Sequence, residues 1–131
     1  MSFTDHPAEG VAILLWACDP DDPQRLATPF FQAAAAAAMD VPVEMYFTAR
    51  SVHLLVPGVA GNLRASGLFA KTVLDTMREA VDHGARLYAC TDALHAQGLD
   101  RARLIPECAG HGGAVQFMAR ATSLRWRALV F

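Results

Sequence analysis

Three cysteines, Cys18, Cys90 and Cys108, are the residues of this chain best suited to covalent chemistry. The thiolate is the nucleophile, so reactivity follows ionisation and access. Cys90 ends a short apolar run, Leu87-Tyr88-Ala89, and Thr91 and Asp92 then open a helix-like segment. A group at a helix start faces backbone N–H groups and about half a positive charge, a field that favours thiolate over thiol. Cys90 is therefore the candidate nucleophile, with Thr91, Asp92 and His111 as candidate substrate contacts. The competing reading is a buried cysteine acting as a small hydrophobe. Cys18 ends the first apolar run, where Trp16 and Ala17 draw it toward the core. Cys108 is either a resolving thiol for Cys90 or a plain buried residue.

Metal and cofactor chemistry find little support. Cys108-x-x-His111, with Cys90 and His95, offers four potential zinc ligands, but structural zinc normally uses tight Cys-x-x-Cys pairs and the chain has none. Asp19, Asp21 and Asp22 sit in a turn with two prolines, which reads as a solvated loop. There is no Gly-x-Ser-x-Gly, no phosphate loop and no Gly-x-Gly-x-x-Gly after the first strand. No metal and no cofactor are expected. His53 and His83 read as surface or partner contacts.

The positioning elements follow from pattern. Val11 to Ala17 is a nearly continuous apolar run, as in a strand buried on both faces. A helix follows, capped either by Asp22 with Pro23 or by Thr28 with Pro29, and it runs to Met39. The Ala33 to Ala38 run lets it pack closely. Val41 to Thr48 alternates, predicting a strand whose Glu44 and Tyr46 side is the less buried one. Arg50 to Pro57 is ambiguous between a loop and one helical turn. Phe69 to His83 has a helical stripe closed by Gly84. Ala85 to Ala89 is a strand, Thr91 to Gly98 a short helix, Leu104 to Cys108 a brief strand, Gly110 to Gly113 a flexible turn, Ala114 to Thr122 a helix and Leu124 to Phe131 a strand. Strands alternating with helices imply right-handed βαβ units, a mainly parallel sheet and one domain spanning 1–131, with a loose N-terminus over residues 1–9.

The chain has 131 residues, 53% hydrophobic and 18% charged, with a net charge of −2. So apolar a small chain often hides surface in an oligomer. Arg120, Arg125 and Arg127 are the nearest approach to a basic cluster and read as a solvated strand face, so nucleic acid is not an expected partner. The odd cysteine count fits a reduced, intracellular setting. No signal peptide and no membrane-spanning run are seen, which leads to a cytoplasmic expectation.

The order of segments is itself informative: "ATPFFQAAAAAAMDVPVEMYFT", then "SVHLLVPGV", then "GARLYACTDALHAQGL", then "LIPECAGHGGAVQFMARAT" and a closing strand. From about Val11 to Phe131 this succession resembles the DsrE/DsrF-like family of small intracellular sulfur-trafficking proteins, most sharply at the strand end leading to Cys90. The resemblance implies a three-layer α/β/α domain with about five parallel strands. It implies homotrimers, homohexamers or mixed oligomers with related subunits. It also implies a sulfurtransferase-like role, in which Cys90 carries a persulfide between a donor such as a rhodanese-like protein and a TusA-like acceptor. Cys108 or Cys18 would then be possible partners in the relay. The alternatives within the same fold are a non-catalytic oligomeric subunit and a small-molecule binder.

Overall fold

The computed structural model describes residues 8–131. The apolar runs become five strands: β1 (Gly10–Leu15), β2 (Val43–Phe47), β3 (Arg86–Ala89), β4 (Cys108–His111) and β5 (Trp126–Val130). They pair in the order β4-β3-β2-β1-β5, always in parallel. Four helices connect them: α1 (Thr28–Ala38), α2 (Val73–Asp82), α3 (Thr91–Ala96) and α4 (Ala114–Ala121). The chain steps one way from β1 through β4, then crosses back to the far edge. Right-handed connections therefore put α1, α2 and α3 on one face and α4 alone on the other. The expected α/β sandwich is present, with unequal outer layers.

Strand alternation decides what each face buries. Ile13, Leu15, Met45, Phe47 and Leu87 join the large core beneath the three helices. Ala12, Leu14, Tyr46 and Tyr88 point the other way, toward Phe117 and Ala121 of α4. Both faces of β1 and β2 are thus covered, and β2 is buried at every position. The sequence expectation of a less buried Glu44 and Tyr46 side is corrected here, because α4 lies over that face.

Local chemistry explains most element ends. Pro23–Arg25 forms only a 3-10 turn, and α1 starts afresh with Pro29 in its first turn. Ala33 and Ala37 are its buried small residues, and the helix packs on α2. The helix expected from Phe69 begins instead at Val73. Thr72 stops it with a capping box: Thr72 Oγ1 accepts from the Asp75 N–H at 3.1 Å, and Asp75 Oδ2 accepts from the Thr72 N–H at 2.8 Å. Phe69 stays outside, 41% exposed. The ambiguous Arg50 segment is a 3-10 helix, Ala49–Leu55, with Val52, Leu54 and Leu55 buried.

The last strands depart furthest from expectation. The strand expected at Leu104 to Cys108 lies at Cys108–His111, so part of the anticipated glycine turn is extended chain. Pairing with β3 supplies its hydrogen bonds, with a register irregularity between Leu87 and Tyr88. The loose-terminus expectation for residues 1–7 lies outside the described residues. Glu9 is tied down: its N–H donates to Arg125 O, and its carboxylate meets Arg125 Nη1 at 2.8 Å.

Candidate functional site

The C-terminal edge of the sheet is stitched strand by strand. The Thr48 N–H donates to Leu15 O at 3.1 Å, the Cys90 N–H to Phe47 O at 3.0 Å, and the Gly112 N–H to Ala89 O at 3.0 Å. These bonds set Thr48, Cys90 and Gly112 in a row just past β2, β3 and β4. From β3 the chain leaves toward the three-helix face, and from β4 toward the α4 face. Neighbouring strands whose connections part in this way leave a crevice between them, the switch point at which open α/β sheets bind ligands. Cys90 and the Gly112-Gly113 pair occupy it.

A cavity of about 300 Å³ opens there, lined by Leu14, Tyr46, Thr48, Cys90, Gly112, Gly113, Ala114, Phe117 and Met118. Cys90 is half-buried and is the N-cap residue of α3, its carbonyl accepting from the Leu94 N–H at 3.0 Å. A Cβ on Gly113 would stand 3.7 Å from Cys90 Sγ. The absence of a side chain at 113 therefore leaves free space beside the sulfur.

The cavity wall is braced from behind. The Tyr46 ring stacks on Tyr88 at 5.5 Å and meets the edge of Phe117 at 5.7 Å. The Tyr46 hydroxyl donates to Glu44 Oε1 at 2.8 Å, and the Gln116 side chain also meets it. Arg120 of α4 donates to both Glu44 oxygens, Nε at 2.8 Å and Nη2 at 3.3 Å, and its guanidinium lies 4.1 Å from the Trp126 ring centroid. Burial, and then the hydrogen bond to Glu44 and its charge, push the Tyr46 phenol well up, so it keeps its proton. The charge of Arg120 is stabilised chiefly by its hydrogen bond to Glu44. The chamber beside Cys90 thus keeps an apolar lining while its polar support sits one layer deeper.

The other expected site residues lie elsewhere. Thr91 and Asp92 are exposed in the first turn of α3, beside Cys90 and outside the chamber. His111 pairs with Ala89, so alternation turns it to the three-helix side, where it is exposed. Cys108 pairs with Leu87, three residues before Cys90. That offset is about 10 Å along a strand, beyond the roughly 7 Å Cα separation that a disulfide spans. Cys108 packs against the three-helix core and its thiol donates to Gly110 O at 3.3 Å. Its thiol is pushed up by burial, with backbone hydrogen bonds at Gly110 and Ala89 opposing. Cys18 is 3% exposed, and burial pushes its thiol up to about 11 against a smaller pull from Arg25.

Cys90, His95, Cys108 and His111 do not converge, and among the described residues no group of three or more such ligand types comes together. The acidic turn is engaged otherwise: Arg50 Nε meets Asp19 at 2.8 Å and its Nη2 meets Asp21 at 3.1 Å. His53 Nε2 lies 3.0 Å from Gln97 Oε1. The arginine trio is split as well: Arg120 serves Glu44 and Arg125 serves Glu9, so neither is merely a solvated strand face. Tyr46, Glu44, Phe117 and Arg120 were the residues that sequence reasoning missed. One signal was present. A glutamate inside the apolar strand Val43–Phe47 requires a cationic or hydrogen-bonding partner.

Comparison with known proteins agrees with this geometry. The sequence pattern of the DsrE/DsrF-like family matches residues 12–129. No curated protein matches the sequence. Among solved structures, the ychN protein from E. coli superimposes with a TM-score of 0.70 at 14% identity, covering 94% of this chain and 99% of that one. A protein of unknown function, MTH1491 from Methanobacterium thermoautotrophicum, does so with a TM-score of 0.63 at 20% identity, covering 93% and 99%. At these identities the likeness is one of fold.

Proposed function

The chain belongs to the DsrE/DsrF-like family, and from that premise we propose that it carries sulfane sulfur as a persulfide on Cys90. The reading rests on one observation: a half-buried thiol at the switch point of a parallel sheet, with open space beside its sulfur. In the loading step the Cys90 thiolate attacks the outer sulfur of a donor persulfide. The donor S–S bond breaks, the donor leaves as a thiolate, and the product is Cys90–S–SH. Delivery repeats the exchange onto an acceptor thiol. The step needs a reachable thiolate and a docking surface, with no triad or metal.

Exposed Thr91 and Asp92 next to Cys90, and exposed His111 at the end of β4, serve in this reading as contacts for protein partners, a rhodanese-like donor and a TusA-like acceptor. Cys18 and Cys108 are spectators in this reading, since burial holds both thiols up. The protein acts in the cytoplasm, where thiols stay reduced. No helix among the described residues is long and apolar enough to cross a membrane. Val115 and Leu124, 88% and 94% exposed, supply apolar surface for a homotrimer or homohexamer.

The test is mass spectrometry of the intact protein after exposure to a sulfane donor. Sulfur-sized increments should appear on the parent and on Cys18→Ser and Cys108→Ser, and disappear from Cys90→Ser. Equal loading of Cys90→Ser would overturn the proposal.

A further inference from the structure

The chamber beside Cys90 also restricts what can reach it. Its floor and back wall are Leu14, Tyr46 and Phe117, and exposed Ala114 and Met118 stand at its rim. Its polar side chains face it only weakly: the Thr48 hydroxyl and the Cys90 thiol are the small groups, and the Tyr46 hydroxyl is committed to Glu44. No cationic side chain among the described residues lines it. The nearest bracing cation, Arg120, is engaged with both oxygens of Glu44 and with the Trp126 ring. A charged substituent pressed against Leu14, Tyr46 and Phe117 would lose its water without a side-chain partner, at a cost far above that for an apolar one, whereas the sulfur end lies beside Gly113, the N-cap of α4, where backbone N–H groups face developing negative charge. About 300 Å³ is the lower end of the range for small-ligand pockets, enough for one compact aromatic or branched aliphatic group.

We propose that this chamber binds the apolar body of a small organic persulfide or thiol whose R group carries no charge, so that Cys90 exchanges sulfane sulfur directly with a low-molecular-weight partner. The inference rests on the persulfide reading of Cys90 and adds the substrate class. The ring or alkyl group packs against Tyr46 and Phe117, and its sulfur approaches Cys90 Sγ through the space left open at Gly113. The exchange balances as R–S–SH plus the Cys90 thiolate giving R–S⁻ and Cys90–S–SH. Donors without an apolar body, such as thiosulfate, or with a charged one, such as glutathione persulfide, gain nothing from the chamber.

The experiment compares second-order rates of Cys90 persulfidation by benzyl persulfide and by glutathione persulfide at equal concentration, read by mass. Burial of the aromatic group should favour the benzyl donor by about tenfold or more. Met118→Lys, at an exposed rim position, should shrink that ratio by adding a cation at the mouth. Equal rates, faster glutathione persulfide, or an unchanged ratio in Met118→Lys would overturn the substrate class while leaving Cys90 persulfidation intact. Loading of Cys90 by neither donor would overturn the persulfide reading itself. A second arm separates the two. Saturable binding of benzyl mercaptan to Cys90→Ser, read from NMR shifts at Phe117 and Met118, supports the chamber without any transfer. Absence of binding overturns it.

Discussion

Burial divides the three thiols, and Cys18 gives that division a magnitude. Its side chain is 3% exposed, and burial lifts its thiol from 9.0 to about 11. Two pKa units reduce the thiolate fraction about 100-fold at any pH well below 9. Near pH 8, iodoacetamide should therefore modify Cys18 in the folded protein at least about 100-fold more slowly than in the urea-unfolded chain, because only thiolate reacts. The same ionisation enters stability. Below pH 9 both folded and unfolded states keep the proton, and the full stability is present. From about pH 9 the unfolded state gives up its proton first, so folding weakens, and the loss reaches its total of about 2.7 kcal/mol only past pH 11. Cys18→Ala removes this contribution. Urea titrations at pH 8 and pH 11 should show the parent losing about 2.3 kcal/mol more than Cys18→Ala over that interval, since the folded thiol is itself half ionised at pH 11. Equal losses, or folded-state labelling as fast as unfolded, would refute the argument that burial governs this thiol.

Other perturbations probe the wall of the chamber and the helix that forms it. Phe117→Ala removes the buried ring between α4 and Tyr46 and should cost about 3–5 kcal/mol by chemical denaturation. Gly112→Ala puts a Cβ 2.7 Å from Gln116 Oε1, a side-chain end free to swing aside, and 3.2 Å from the fully buried Tyr46 ring, which is not, an overpacking cost of about 1 kcal/mol. Gly113→Ala meets only an ordinary contact at 3.7 Å but gives up the N-cap glycine of α4, so it should cost about 0.5–1 kcal/mol while slowing persulfide formation at Cys90, read by mass. Thr72→Ala breaks the capping box of α2 and should lower stability by about 1 kcal/mol.

What the sequence disclosed, and what it withheld, has a physical pattern. The unalternating run at Val11 announced a doubly covered strand because residues on both faces are buried in the fold. Cys90 was legible because the strand, the thiol and the helix start are contiguous in sequence. The chamber was not, because its parts come from β1, β2, the ends of β3 and β4, and α4, and only the sheet order brings them together. Glu44 and Arg120 are 76 residues apart, and neither identifies the other by local pattern. The Gly110-His111 stretch read as part of a turn on composition, yet it pairs with Tyr88 and Ala89 of β3, a contact that propensity cannot foresee.

The crossover from β4 to the far edge also sets an order of events during synthesis. β1 to β3 and Cys90 precede every residue of α4, and α4 is clamped only when β5 pairs beside β1. From Cys90 to Trp126 the ribosome adds 36 residues, about 2–7 s at typical elongation rates. Through that interval the thiol is already part of the chain while the lining made by Phe117 and Met118 is still unbuilt. A newborn molecule therefore passes through a period in which the Cys90 sulfur lacks the wall that Phe117 and Met118 give it, and that wall is completed only as β5 docks beside β1.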